Sequence, residues 1–350
     1  NPQALINKKG PLTIDEIQKA PELLNSIKIA VDKNREPGKF LITGSANLRF
    51  LPHIQESLAG RIAFVEMFPL TVFERYSTGN KPNIVRLIES RDINAISKTD
   101  YTDINFFDEI FRSSYPEVNI RDDDDFQKVW FNSYIKTYIE RDVRQIQNIS
   151  LLSDFQKLIH LSNLRLSNIL SISSLARDAG LNNVTAKRYL NLLYISYQLF
   201  ELQPYYKNVN KRFIKSPKLY NPDTAFAAFL SSIKDFADAE KFNKIGALIE
   251  NKIISEIRTL LSVFLPETNL YFYKTHGGGE IDLIIEYNHF YIPVEIKAQN
   301  TLKKINTKTM RSFLNDNNKE SGFGIIIYPG DTNIEIEKNI YLMSAKSLLL

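Results

Sequence analysis

Gly277-Gly-Gly-Glu-Ile-Asp282 and, after a short gap, Pro293-Val-Glu-Ile-Lys297 decide how the C-terminal part of this chain reads. Apolar and polar residues alternate on both sides of Asn288-His289. The pattern predicts two strands, Ile281–Tyr287 and Phe290–Ala298, joined by a tight turn. A period of two places Glu295 and Lys297 on one face of the second strand and Val294 and Ile296 on the other. Pairing across this hairpin brings Asp282 beside Glu295. Glu280 alternates away from Ile281 and is a weaker candidate.

Outward from the hairpin, the pattern predicts a helix over Gly246–Val263 and a strand over Tyr271–Lys274. A helix near Asn306–Leu314 and a buried strand at Gly324–Tyr328 follow. Glu250, within Leu248-Ile-Glu-Asn-Lys-Ile-Ile254, is an acid in an apolar stretch, where burial demands a partner. Two carboxylates beside one ammonium can hold a magnesium ion while the lysine orients a water, a combination suited to phosphodiester hydrolysis. The same residues also suit a solvated hairpin face with an ordinary Glu295–Lys297 ion pair, and both readings stay open. Gln299 shares the strand face and is placed to touch a substrate. His53, His160, His276 and His289 are isolated in sequence, which argues against a histidine metal site.

A helix with Glu, a strand with Asp and a strand with Glu-x-Lys resembles the PD-(D/E)XK nucleases, and DUF4143 domains are similar in this respect. The resemblance implies Glu250, Asp282 and Glu295 as metal ligands, and these three with Lys297, the water-activating cation, as the catalytic set. A nuclease fold that keeps the residues but has lost the activity is a further reading.

Near the start, Leu12-Thr-Ile-Asp-Glu16 reads as an apolar strand ending in two carboxylates. Further on, Gly38-Lys-Phe-Leu-Ile-Thr-Gly-Ser45 reads as a second strand ending in small polar residues, and Leu58-Ala-Gly-Arg61 offers a cation. An amphipathic helix is expected between them at Pro21–Asn34, and another strand at Ile62–Glu66. Together with Asp15–Pro21, these segments resemble the AAA+-like ATPases (AAA_14 type) that carry a C-terminal DUF4143 domain. The resemblance implies that Asp15 and Glu16 are the Walker B pair, Ser45 a phosphate sensor and Arg61 a phosphate-facing arginine. No Gly-x-x-x-x-Gly-Lys-Ser/Thr occurs in the sequence. Gly38-Lys39 does not supply it, because Lys33 stands where the first Gly belongs and Phe40 where the Ser/Thr belongs. The chain is therefore read as truncated or as unable to cradle nucleotide phosphates, and no ATP hydrolysis is expected of it as written.

In the middle, Ile172-Ser-Ser-Leu-Ala-Arg-Asp-Ala-Gly180 followed by Leu181–Leu193 has a helix–turn–helix cadence, with Asn182 or Asn183 as the cap of the second helix. Its outward positions, Asn183, Thr185, Lys187 and Arg188, are types that meet phosphates and base edges. Residues 171–220 hold eight basic side chains against two acidic ones, so a positive field is concentrated locally. DNA contact and plain packing both fit a winged helix of this kind. The resemblance continues through Tyr138-Ile-Glu-Arg-Asp-Val143 and Lys215-Ser-Pro-Lys-Leu-Tyr220. Asp223 reads as a turn or cap residue, Asp122–Asp125 as a solvated acidic turn, and Phe126–Gln147 as a helix with an aromatic core stripe.

The length of 350 residues predicts two or three domains. A hydrophobic content of 43% with 24% charged residues is ordinary globular composition, and the net charge of +4 is too mild to imply a polyanion partner for the whole molecule. The absence of cysteine excludes disulfide scaffolds, cysteine-ligated zinc, iron–sulfur clusters and a thiol nucleophile. No apolar run approaches the ~18–20 residues that span a bilayer, and Asn1–Gly10 lacks a signal-peptide core, so a cytoplasmic protein with no membrane partner is expected.

The expected architecture is α/β and multidomain. Residues 1–77 form a truncated P-loop-type parallel α/β module, 78–150 a helical linker or lid, 151–219 a winged helix-turn-helix, and 220–350 a restriction-endonuclease-like α/β domain. The leading functional expectation is a magnesium-dependent nucleic-acid-processing protein, with DNA favoured over RNA. ATP is a cofactor only with the missing phosphate loop. The alternative is a non-catalytic nucleotide switch or DNA-binding regulator that uses the nuclease fold as a scaffold. A homo-oligomer is required if Arg61 acts on a neighbouring subunit.

Overall fold

The computed structural model describes residues 2–6, 10–45, 47–48, 52–76, 79, 81–96, 104–121, 123–139, 151–299 and 305–350. The chain divides into two compact units, Asn1–Met67 with Asn191–Gln198, and Phe68–Leu190 with Leu199–Leu350.

In the first unit, strand β1 (Leu12–Ile14) pairs parallel with β2 (Phe40–Ile42), Leu12 opposite Phe40 and Ile14 opposite Ile42. The helix between them, α1 (Leu23–Lys33), turns Leu24 and Ile27 into a small core with Ile14, Ile17, Ile54 and Leu58. This is the parallel module expected from sequence, with one correction. Residues 62–66, expected as a strand, have no regular structure, and Val65 stands 86% exposed. Apolar alternation makes a strand only where it joins a ladder, and the described strand pairings do not include this segment.

The second unit is built on an eight-stranded sheet of order β4-β3-β5-β6-β7-β8-β10-β9. Its strands are β3 (Phe200–Pro204), β4 (Lys218–Tyr220), β5 (Asn269–Lys274), β6 (Glu280–Tyr287), β7 (Phe290–Ile296), β8 (Gly324–Tyr328), β9 (Ile334–Glu337) and β10 (Ile340–Ser344). β5, β6 and β7 form an antiparallel meander, and β8 lies parallel to β7. Helix α4 (Ile245–Phe264) precedes the meander and α5 (Lys308–Asp316) crosses from β7 to β8. One sheet face packs Leu283, Ile285, Val294 and Ile327 with Ile253 and Ile257 of α4. The other packs Ile281 and Ile284 with Phe313 of α5 and Tyr205. Both faces are therefore dry, which is why β8 reads as an unbroken Ile run. The strand and helix after Tyr328, β10 and Ala345–Leu349, complete the core and were not expected.

The register of β5 on β6 slips between Tyr271, opposite Ile284, and Tyr273, opposite Ile281. Asp282 and Leu283 thus oppose the single residue Phe272. This bulge explains how Ile281 and Ile284, three apart, share a cluster, and it re-aims Asp282.

The middle segment forms the expected pair of helices, α2 (Ile172–Ala179) and α3 (Asn183–Ile195). Gly180 closes α2 in the left-handed region at φ 73°, a conformation that favours glycine. Of the two candidate caps, Asn182 takes the role: its side chain accepts the Thr185 N–H at 2.8 Å. The segment expected to end as a separate winged helix at 219 instead hands its strands to the large sheet. Phe200–Leu202 of β3 pair with β4, while Gln203 and Pro204 pair with β5.

Phe126–Gln147, expected as one helix, is α-helical over Asp124–Tyr134 and π-helical over Ile135–Ile139. Residues 140–150, with Val143 of the quoted motif, lie outside the described residues, as does Asp122. Asp123 caps the helix, Trp130 stacks on Tyr134 at 4.9 Å, and Val129 is exposed. Asp223 caps the helix Thr224–Leu230, as its position suggested.

Candidate functional site

Glu250, Asp282, Glu295 and Lys297 are brought to one end of the sheet by α4, β6 and β7. Extending the register of Leu283 on Val294 by one step sets Asp282 opposite Glu295, as the hairpin reading required. Asp282 Oδ2 accepts the Ile296 N–H at 2.8 Å, which fixes the carboxylate against the end of β7. Glu295 Oε1 accepts from Lys297 Nζ at 2.7 Å, and both are partly exposed.

The centre of the group is a residue that the sequence does not single out as a site residue. Lys218, counted among the eight basic side chains of 171–220, is 2% exposed. Its Nζ lies 3.0 Å from Glu250 Oε1, 2.6 Å from Glu280 Oε1 and 3.7 Å from Asp282 Oδ1. Its ammonium also stands 5.6 Å from the centre of the Phe272 ring. Tyr220, on the same face of β4, donates its hydroxyl to Glu250 at 2.7 Å. Glu280, ranked below the others, is thus a full member of the cluster and is also approached by Lys274 at 3.4 Å.

The electrostatics follow from gathering carboxylates in a dry place. Burial, then the charge of Asp282, pushes Glu250 from its ordinary 4.5 up to about 8. Burial and Asp282 likewise push Glu295 up to about 7. Burial raises Asp282 too, against the pull of Lys218 and the Ile296 N–H. Burial works against charge on Lys218, yet Glu250 and Asp282 hold it charged, above its ordinary range. Burial also works against Glu280, but its bond to Lys218 leaves it below its ordinary value. One ammonium cannot balance every carboxylate around it. The bond to Lys218 favours the ionised form of Glu280, while burial and the charge of Asp282 favour the protonated forms of Glu250 and Glu295.

Glu250, Asp282 and Glu295, expected as metal ligands, are paired here with ammonium groups of the chain itself. Among the described residues, no group of three or more histidines and carboxylates is set to hold a metal ion. The reason is physical: Glu250 and Asp282 turn their oxygens to Lys218, and Glu295 turns to Lys297. The donor set fits an ammonium, not a magnesium ion, as the side chains stand.

A second polar group lies at the carboxyl ends of β1 and β2, where parallel sheets place their ligands. Asp15 accepts from the Thr43 hydroxyl, and Glu16 accepts from Gln18 and, at 3.3 Å, from Ser45. Glu16 adopts φ 54°, an uncommon conformation for a non-glycine residue. Arg61 is turned elsewhere: its Nε and Nη2 clamp Asp32 at 2.6 and 2.9 Å. On α3, Asn183 and Lys187 are exposed and Thr185 and Arg188 half-buried, and Val184 projects between them at 80% exposure.

Sequence reasoning missed Lys218 and Tyr220. Their signal was the motif Lys218-Leu-Tyr220 itself, a strand whose period of two puts a lysine and a tyrosine on one face.

Three family models match the chain in succession. Residues 2–76 match an AAA domain, residues 104–237 the domain of unknown function DUF8612, and residues 245–348 the domain of unknown function DUF4143. The chain thus joins an AAA-type segment to a C-terminal DUF4143 domain. The uncharacterized protein Rv2008c of Mycobacterium tuberculosis is 28% identical over 99% of this chain and 71% of its own length. The uncharacterized protein MJ1544 of Methanocaldococcus jannaschii is 25% identical over 87% of this chain and 65% of its own length. A solved assembly of Thermococcus gammatolerans McrB AAA+ hexamers with bound McrC aligns with 55% of this chain and 47% of its own, at 12% identity and a TM-score of 0.20. So slight a likeness carries no argument here. None of the described helices is long and apolar enough to cross a membrane.

Proposed function

We propose that this chain is part of an AAA-type, nucleotide-responsive DNA-binding regulator whose C-terminal domain uses a nuclease-type fold as its scaffold. The observation that carries this reading is the buried ammonium of Lys218 at the centre of Glu250, Glu280 and Asp282. A centre whose carboxylates are already paired inside the protein is a structural core rather than a cutting site. DNA contact is assigned to α3, through Asn183, Thr185, Lys187 and Arg188, with the exposed Val184 able to meet a thymine methyl. Nucleotide contact is assigned to Asp15, Glu16 and Ser45 at the ends of the parallel strands, which have the residue types that serve magnesium and water in ATPases.

A second reading, magnesium-dependent phosphodiester cleavage by Glu250, Asp282, Glu295 and Lys297, draws on the order helix, three antiparallel strands, helix, parallel strand, with Asp on the second strand and Glu-x-Lys on the third. In this structure the carboxylates of that set are paired with Lys218 and Lys297.

The two readings separate in one experiment. Duplex DNA is titrated with the full chain by fluorescence anisotropy across a range of salt, and the same mixtures with Mg²⁺ or Mn²⁺ are run on a denaturing gel. Binding that weakens steeply with salt and leaves the DNA intact supports the regulator. Cleavage lost in Asp282→Asn supports the nuclease. No binding at any salt removes the DNA-binding assignment.

A further inference from the structure

We propose that the Lys218 ammonium is the resident cation of the Glu250–Glu280–Asp282 centre and excludes divalent metal from it by direct competition. This goes beyond the DNA-binding reading and does not depend on it.

Three observations converge. First, the lysine is placed as a ligand would be. Its Nζ is within 3.0 Å of Glu250 and 2.6 Å of Glu280, with Asp282 at 3.7 Å, and Tyr220 adds its hydroxyl to the Glu250 oxygen that Lys218 contacts. A divalent ion drawn to the same oxygens would be set against a fixed positive charge at contact distance, where the repulsion is several kcal/mol even at an effective dielectric of about 20.

Second, Lys218 cannot readily withdraw. Its strand is held on one edge by β3, Leu202 opposite Lys218, and on the other by an isolated bridge to Ile169. Ser167 donates to the Leu219 carbonyl at 2.8 Å and Leu170 to the Pro217 carbonyl at 2.7 Å, so the main chain on both sides of Lys218 is bonded. Beyond Tyr220, Asn251 of α4 accepts the Asn221 N–H at 2.8 Å and donates to the Asn221 carbonyl at 3.0 Å, tying the strand to the helix that carries Glu250.

Third, the remaining carboxylate is spoken for. Glu295, which a metal would recruit, is bonded to Lys297, and the free face of Asp282 is taken by the Ile296 N–H. The centre is therefore filled by charges of this chain's own.

The test is metal binding, read without any activity. Free Mn²⁺ is followed by electron paramagnetic resonance as the full chain is titrated near neutral pH. The parent is expected to leave Mn²⁺ free, whereas Lys218→Gln and the more conservative Lys218→Met take up one Mn²⁺ per chain at least roughly tenfold more tightly. Uptake is expected to disappear in Lys218→Gln/Asp282→Asn. Stoichiometric binding by the parent that is lost in Asp282→Asn overturns the proposal, and this arm needs no Lys218 variant to fold. A folded Lys218→Met that takes up no more Mn²⁺ than the parent also overturns it. The anisotropy titration is unaffected by either result, so failure here and failure of the DNA-binding reading are told apart.

Discussion

Lys218 and Glu250 meet at 3.0 Å although one lies on a three-residue strand and the other on a twenty-residue helix, and the lysine is 2% exposed. A buried pair of this kind owes little net stability to its attraction, because desolvation consumes it, but removing one partner strands the other. Lys218→Ala is expected to cost about 3–5 kcal/mol, read from urea unfolding. Adding Glu250→Gln to that variant should recover part of the loss, since the two changes share one network.

The raised acids set a pH dependence. Glu250 and Glu295 bind protons more tightly folded, at about 8 and about 7, than their ordinary 4.5. The folded state therefore holds more protons between these values, and stability falls as pH rises. Their contribution is complete below about 4.5 and gone above about 8. Chemical denaturation across this window should show a declining free energy of at most about 1.4 kcal/mol per pH unit for each group. Glu250→Gln should flatten the upper part of the decline.

Lys187 is exposed on α3 and Lys218 is not, although both count equally in the local charge. Lys187→Ala should weaken DNA binding across sequences and lower the slope of log affinity against log salt by about one. Salt titration of the variant checks this.

Gly44 sits where a Cβ would lie 2.6 Å from Gln18 Oε1 and 2.7 Å from Leu48 Cδ2. Gly44→Ala should push Gln18 away from Glu16 and Ser45 and destabilise the first unit by about 1–3 kcal/mol. Hydrogen exchange within residues 12–45 is the measurement, and unchanged protection there would sink the assignment of this contact.

The elements around the site were largely legible because their periodicity is strong. β8 was read to the residue, and α4 and β6 to within one residue at each end. Faces were read from alternation, which held for Glu295 and Lys297 but understated Glu280. The bulge at Asp282 is invisible to a period of two, and it redirects the one carboxylate on which the cluster turns. Lys218 is illegible for a different reason. A lysine in a basic run carries no sign of burial by composition, and only the pairing of β4 with β3, Lys218 opposite Leu202, reveals that its side chain points inward. Residues 62–66 erred the other way, as an apolar alternation without a ladder to join.

Since β3 and β4 are strands of the same sheet as β5 to β8, the matched region 245–348 does not contain its own edge. A recombination or proteolytic cut between Tyr220 and Ile245 would expose the open side of β5 and strip the cluster of its only fully buried lysine. The DUF4143 portion is thus not portable by itself. A folding unit that keeps the carboxylate centre intact has to include β3 and β4 as well as the matched region.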